Sequence, residues 1–457
     1  MNSDEVVEKI RENESSGNYS KNIILIDDII ANSNTKSNFF YNLVLEKINT
    51  LWFLAQYADA EILAIQLLSE IKDQTTMKEE YCKTLNTLGQ INWKLGKISE
   101  STKYFEEAHL LALKINSLSL QIDALHGLAT LCNQKGELTK AETIYYDSIQ
   151  ICERQGEIKK LYKTYNNLGE VFRARGEIIK AEECYLKSLH LHPDLHDNRS
   201  KAISLGNLGY IAYHKGEYAK AEENIRKSLV FFEKIGAFYG IAEFKHLLIR
   251  VFLAQDKFHD AKETLEKLEK LHKKTNNIEV LIRLKISESR YRLKKIDLDS
   301  ALNIINDAIV LANQEKIFSL VIEAMHIRMR IYYQLLLNLN SEEYQKHFLR
   351  QIKDIQVLSR DKNLHWSFVN SILIQGLFYK SEFEFDEAIK YFEKAENYAK
   401  EYGMLMLLND IKMQVKSIND QVNSLKSIFG QNPDLILKKQ QETIISYIKS
   451  LKQYLEK

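Results

Sequence analysis

Proline is almost absent: the chain holds two in 457 residues. Proline is the costliest residue in a helix interior, so its scarcity leaves long helices unhindered. Cysteine is nearly as rare. Cys82, Cys132, Cys152 and Cys184 have no C-x-x-C spacing, which speaks against a zinc or redox centre. Cys132 and Cys152 fall at apolar helix positions, where a free thiol behaves as a small hydrophobe. Charge of one sign is lacking too, with 63 Lys and Arg against 62 Asp and Glu. No global field therefore favours a nucleic-acid backbone or an anionic membrane. No apolar run approaches the roughly twenty residues of a spanning helix. The opening residues, MNSDEVVEKIRENESSG, have no apolar centre of a signal peptide and are acidic rather than arginine-rich. A cytoplasmic protein is expected, without membrane insertion and without a nucleic-acid partner.

Catalytic signatures are missing as well. There is no G-x-S-x-G, P-loop, G-x-G-x-x-G or H-E-x-x-H. Acidic pairs such as Glu106-Glu107, Glu182-Glu183 and Glu222-Glu223 are adjacent in sequence, so on a helix they diverge by about a hundred degrees and cannot act as a dyad. The run HLHPDLH brings His190, His192 and His196 together beside Pro193, but exposed loop histidines without a carboxylate behind them hold a metal weakly. No catalytic residue, metal or cofactor is expected, and the chain reads as a non-enzyme.

What the sequence does contain is repetition. Residues 166–189, NNLGEVFRARGEIIKAEECYLKSL, return forty residues later as 206–229, GNLGYIAYHKGEYAKAEENIRKSL. A fixed period of this length marks a repeat architecture. Gly176 and Gly216 stand where a first helix must stop, since glycine alone takes the left-handed C-cap without penalty. Ala181 and Ala221 mark a second helix that approaches the first closely, which requires a small side chain at the crossing. Each copy reads as helix–turn–helix.

Aligned on that small position, the copies fall at Asn22, Ala60, Ser101, Ala141, Ala181, Ala221, Ala261 and Ala301. Residues 80–230 are the most regular. Residues 1–33 form a worn first copy. After Ala221 the signature fades, and Asp256 and Ile296 replace the helix-stop glycine. The period breaks over 325–358, where the next second-helix marker comes late, near His347. One clean copy returns at 374–400 with Gly376, Phe385, Ala388, Phe392 and Ala395. The prediction is an all-α solenoid of about ten helix–turn–helix repeats over 1–403, closed by a capping helix pair in 404–457. The second capping helix is expected at 433–456, starting at Asn432-Pro433 and presenting Ile444, Ile448, Leu451 and Leu455 on one face. A terminal repeat with a polar outer face is what a solenoid needs to end.

The pattern Gly209, Tyr213, Gly216, Ala221, repeated as Gly169, Gly176, Ala181, Tyr185, Ser188 and Pro193, resembles the tetratricopeptide repeat. The spacing of 40 is similar to the longer subclass that includes the Leu-Gly-Asn spindle-orientation adaptors, bacterial peptide-pheromone receptors and sensor arms of some transcription activators. The resemblance implies a right-handed superhelix whose inner face is lined by the first helix of each pair.

By helical geometry one stripe of that first helix carries Lys83, Asn86, Gln90 and Lys94, then Asp123, His126, Thr130, Asn133 and Gln134. The next copies supply Lys163, Asn166, Asn167, Glu170 and Arg173, then Asn207, Tyr210, Tyr213 and His214. In the resembling family this stripe faces the groove. An asparagine offers both donor and acceptor and can pair with any extended backbone; Arg173 suits a carboxylate, and Tyr210 and Tyr213 offer flat apolar contact. An inner face can also be polar merely because it is wet, but the clustering of asparagine favours a peptide groove. Beyond residue 230 the same slots hold His246, Leu247, Ile286, Ser287, Leu373 and Ile374, which predicts a greasier or closed surface. The carboxylate clamp of chaperone-docking members is out of register at Ile203 and Asn207. The expected function is an adaptor that binds a protein or peptide in the groove. A ligand-responsive receptor controlling a partner is the first alternative. The second is a structural homo-oligomer joined through the C-terminal helices.

Overall fold

The structure, a computed structural model, describes residues 3–429 except 16–17, 34–35, 55, 136, 192–197, 235, 316, 340, 362–363, 383 and 403. The helix expected at 433–456 and the residues His192, Pro193 and His196 lie outside the described residues.

Twenty-one α-helices and one 3-10 turn at Thr75–Met77 make up the described residues, with no strand among them. They are α1 (Ser3–Ser15), α2 (Tyr19–Ala31), α3 (Asn38–Phe53), α4 (Tyr57–Ile71), α5 (Lys78–Lys94), α6 (Ile98–Lys114) and α7 (Leu118–Lys135). Then follow α8 (Leu138–Gln155), α9 (Ile158–Arg175), α10 (Ile178–Leu191), α11 (Asn198–His214), α12 (Tyr218–Lys234), α13 (Phe238–Ala254) and α14 (Phe258–Thr275). The last are α15 (Ile278–Lys294), α16 (Leu298–Gln314), α17 (Phe318–Leu339), α18 (Glu342–Asp361), α19 (His365–Ser381), α20 (Phe385–Glu401) and α21 (Leu405–Phe429). Successive helices pack on one another within each unit, most extensively α11 with α12, α5 with α6, α19 with α20 and α15 with α16. The chain resolves into two compact units, residues 1–173 with 178–327, and residues 328–457 with the turn at 174–177.

The turns explain the period. Residues 96, 156, 176, 216 and 236 are glycines with φ between 65° and 80°. The faded positions keep the same conformation without glycine: Asn116, Asp256, Asn276 and Ile296 have φ of 55°, 56°, 47° and 62°. The chain thus turns every twenty residues, at the end of both helices of a repeat. Most of these helix ends carry one closure, in which the residue after the left-handed one donates to a carbonyl five residues back; at Asn276 the left-handed residue itself donates, to His272 O at 2.7 Å. Lys97 N donates to Asn92 O at 2.9 Å, Glu217 N to Ala212 O at 2.9 Å, and Asp297 N to Arg292 O at 3.0 Å. The loss of glycine at Ile296 therefore changed the local cost and left the geometry intact; a β-branched residue there bears a strain of roughly 1–3 kcal/mol.

The crossings are built from a small residue and an aromatic one turn later. Ala60, Ala141, Ala181, Ala221, Ala261 and Ala301 are fully buried, and Ser101 Oγ donates to Gly89 O at 2.7 Å across the pair. A methyl added at Gly89 would meet Phe105 at 2.7 Å, at Gly169 Tyr185 at 2.5 Å, and at Gly376 Phe392 at 2.6 Å. Glycine on the first helix is thus the seat of a ring on the second. At Gly209 the seat is taken by Ile225, 2.6 Å from the same imagined carbon, with the Ala221 carbonyl at 3.2 Å.

That crossing has no spare volume. Ala221→Leu is expected to cost roughly 1–3 kcal/mol by overpacking. Because repeats couple mainly to neighbours, hydrogen exchange should quicken in α11 and α12 and stay unchanged in α19 and α20. Uniform acceleration would show a single cooperative unit instead.

The break over 325–358 has a simple form. α17 runs 22 residues and α18 runs 20, against the 17 or 18 of most others. His347 does not mark the buried face. It stays exposed and stacks on Tyr332 at 5.3 Å, while Phe348, Ile352 and Ile355 enter the core. In α21, Leu407, Ile411 and Ile418 are buried and pack in the cluster of Phe368, Phe392 and Ala399.

Candidate functional site

The odd-numbered helices of the first unit carry the polar stripe, and the stripe residues meet from helix to helix. On α5, Asn86 is buried with neither side-chain amide atom bonded to protein, whereas Gln90 and Lys94 remain exposed. The Lys94 ammonium keeps solvent access yet is ringed by protein. That environment pushes its pKa down; Glu279 opposes the shift and Arg199 adds to it. On α7, His126 Nε2 lies 2.7 Å from Thr164 Oγ1 on α9. Burial, with Lys160 and Lys163 nearby, lowers the His126 pKa to about 3. Asn133 is half-buried at the end of the same helix.

α9 and α11 form the densest part. Asn207 Nδ2 donates to Asn166 Oδ1 at 3.3 Å, and the Asn167 amide lies near the Tyr145 hydroxyl. Glu170 accepts from Tyr185 Oη at 2.6 Å and from Arg173 Nε at 3.0 Å, with Arg173 Nη2 on the same carboxylate oxygen. The Arg173 guanidinium lies 4.9 Å over the Tyr210 ring. Tyr210 and Tyr213 in turn flank His214 at 4.3 and 5.3 Å. Burial first, then Arg250 and Arg173, lower the His214 pKa to about 3.

Two expectations change here. Arg173 is not a free fork awaiting a carboxylate, because Glu170 three residues earlier already holds it, as i,i+3 partners on a helix do. Asn166 and Asn207 face each other rather than open solvent. A ligand backbone must replace these bonds, not add to them.

Of the two expectations beyond residue 230, a greasier surface or a closed one, burial of Leu247, Ile286 and Leu373 in the core agrees with the closed one. Beside Leu247 and Ile286 the polar residues form a charged cluster. His246 Nδ1 lies 2.7 Å from Ser287 Oγ, and His246 Nε2 lies 3.0 Å from Glu323 Oε1 on α17. Arg290 Nη2 donates to the same Oε1 at 2.7 Å, while Arg250 Nη1 stands 3.7 Å away. Burial alone would raise the Glu323 carboxyl, but His246, Arg250 and Arg290 hold it well below the ordinary range. The signal was present in the period: Glu170, Tyr210, Arg250 and Arg290 are forty apart, as are Glu243, Arg283 and Glu323. It was hidden because the apolar residues beside these positions dominated the pattern.

The first unit also closes on itself across the stripe. The Arg199 guanidinium, at the start of α11, lies 5.4 Å from the Trp52 ring and 5.1 Å from the Phe53 ring at the end of α3. The Tyr57 and Tyr239 hydroxyls lie near each other, and Asn277 Nδ2 donates to Tyr239 Oη at 3.1 Å. No helix among the described residues is long and apolar enough to cross a membrane.

Paired helices, glycine-seated rings and a polar stripe on alternate helices define a repeat protein of the tetratricopeptide type. The chain belongs to the MalT-like TPR region family, whose model matches residues 89–422. No curated protein sequence matches the chain. Among solved structures it is similar to a Rap protein complexed with competence and sporulation factor, at TM-score 0.57 and 14% identity over 79% of this chain and 100% of that one. It is also similar to the Rap conjugation gene regulator of plasmid pLS20 in complex with the Phr* peptide, at TM-score 0.51 and 14% identity over 69% and 94%. Aspartyl phosphate phosphatase F from Bacillus subtilis matches at TM-score 0.51 and 13% identity over 77% and 94%. At such identities the likeness is one of fold.

Proposed function

We propose that the chain is a non-enzymatic interaction adaptor that holds an extended peptide or partner segment along Asn86, Gln90, Lys94, His126, Asn133, Asn166, Asn167, Glu170, Arg173, Asn207, Tyr210, Tyr213 and His214. The observation that carries this reading is the side-chain amide pair Asn166–Asn207, which joins the stripes of consecutive repeats, 41 residues apart, at a long 3.3 Å. Two amides in that register can each give one donor and one acceptor to a backbone running across the helices. Two of the similar structures hold a factor or peptide, which supports a peptide as the ligand class.

The test starts from crosslinking pull-down in native lysate, followed by affinity measurement with the partner found. Asn166→Ala with Asn207→Ala removes two hydrogen bonds of roughly 0.5–1.5 kcal/mol each. Since the free protein first gives up the bond between them, the expected loss is near the lower end, about five- to tenfold. Unchanged affinity at matched folded fraction would remove the groove from the argument.

A ligand-responsive regulator is the second reading, favoured by the Arg199–Trp52 and Tyr57–Tyr239 contacts. A ligand lying under them would alter contacts between distant repeats. Small-angle scattering with and without the partner separates the two, since an adaptor with a fixed groove keeps its radius of gyration.

A further inference from the structure

Among the described residues, α21 is held on two sides and open on a third. Lys380 Nζ of α19 donates to Gln414 Oε1 at 2.8 Å and to Ser417 Oγ at 3.0 Å, which fixes one side of the helix. Ile411 and Ile418 are fully buried in the core shared with Phe392 and Ala399 of α20, which fixes the next. Leu408, Val415 and Val422 touch that core but stay half-exposed. They recur every seven residues and form an apolar edge about 21 Å long. α11, α15 and α19 are each packed by the helix that follows. α21 has no following helix among the described residues, so its edge lacks the cover those helices receive.

The next stretch of sequence carries a matching edge. Gly430, Gln431 and Asn432 separate Phe429, the last residue of α21, from Pro433. Three residues suffice to join antiparallel neighbours, and so short a connector leaves a following helix little reach to any other surface. Counted outward from the connector in equal steps, Ile444 falls opposite Ile418 and Tyr447 opposite Val415. Leu451 falls opposite Ile411, and Tyr454 opposite Leu408. Ile448 and Leu455 lie on the same helical face as these. Val422, next to the turn, meets Gln440 instead. The two stretches thus carry apolar residues in one seven-residue register, as helices packed side by side do.

We propose that residues 433–456 return as a helix along α21 and cover the edge of Leu408, Val415 and Val422 within the same chain. The repeat array then closes on the polar side of that helix, which carries Glu442, Ser446, Lys449, Gln453 and Glu456. A second copy would offer the same residues, but the connector holds the chain's own segment at the edge at a far higher effective concentration. This inference is independent of the peptide groove.

The experiment uses the full chain. Val415→Cys with Tyr447→Cys sets two thiols opposite each other, while Cys82, Cys132, Cys152 and Cys184 are buried and spared by mild oxidation. The expected product is a disulfide within one chain, seen as a mobility shift without added mass and formed at a rate unchanged by dilution. Val415→Cys with Gln440→Cys lies one heptad, about 10 Å, out of register, beyond the reach of a disulfide, and should couple at least roughly tenfold more slowly. If the cysteine variants do not fold, hydrogen exchange decides. Ile444→Ser with Leu451→Ser should quicken exchange in α21 around Val415 by roughly tenfold or more, whereas a segment lying elsewhere leaves α21 unchanged. Covalent dimers in place of the intrachain bond would assign the edge to a second copy and overturn the proposal. Equal coupling of both cysteine pairs, or of neither, overturns the register and the proposal with it.

Discussion

Lowering the pH from 7 to 5 is expected to strip most of the stability from the α7–α15 region, before the Glu323 carboxylate titrates. His126, His214 and His246 all resist protonation in the folded protein, chiefly because they are buried. An unfolded chain protonates each ring below about 6.5, whereas folded His126 and His214 hold out until about 3. Their folded values are depressed, so the unfolded state binds more protons and stability falls as pH drops below 6.5. Each neutral ring is worth at most about 1.4 kcal/mol per pH unit, and the three together about 4. Glu323 shifts in the opposite chemical sense, held ionised by its partners. Its contribution persists above about 4.5 and is lost only at lower pH, so it does not act in this window. Urea unfolding at pH 7, 6 and 5 measures the slope, and the triple variant His126→Gln, His214→Gln, His246→Gln should flatten it. A wild-type midpoint that does not move over those two units would refute the neutral imidazoles.

The second large effect concerns Glu323 itself. Its side chain is 22% exposed and carries His246, Arg250 and Arg290. Glu323→Ala leaves two guanidiniums facing each other without an acid, and breaking a buried ion cluster in this way costs about 3 kcal/mol. The loss should appear as faster hydrogen exchange in α13, α15 and α17, since repeats transmit damage mainly to neighbours. Replacing the pair together, Glu323→Leu with Arg290→Leu, should recover part of it, because a packed apolar substitute removes one of the two guanidiniums left without an acid. If the single and double variants are equally unstable, packing rather than charge balance is what Glu323 supplies.

Much of the architecture could be read from Gly176, Gly216, Ala181 and Ala221, because left-handed turns and close crossings each demand one residue type. Asp256 and Ile296 show the limit. The backbone bonds at a helix end and the packing on both sides enforce the turn, so the geometry outlasts the residue that best suits it. The lengthening of α17 and α18 left only a broken period, with no positive signal for which face Phe348 would take. In the stripe, the Arg173–Glu170 pair was legible from spacing alone. Partners such as His246, Ser287 and Glu323 were not, because they sit on three helices and pair only once the repeats have stacked. Side-chain choice between a ligand and a neighbour is a tertiary matter, and a polar pattern by itself does not decide it.

The contacts from Trp52 to Arg199 and from Tyr57 to Tyr239 also set a timetable for synthesis. A row of repeats ordinarily completes each unit as it leaves the ribosome. Here Phe53 stacks on Tyr19 upstream at 5.1 Å, but the Arg199 contact of Trp52 and Phe53 waits for a partner encoded far downstream. At about 5–20 residues per second, Tyr57 precedes Tyr239 by roughly ten to forty seconds. During that interval Trp52 and Phe53 are apolar surface on a nascent chain, long enough for trigger-type chaperones to bind. Slow codons placed between the two would lengthen that exposure, and a chain cut short before residue 199 would never end it.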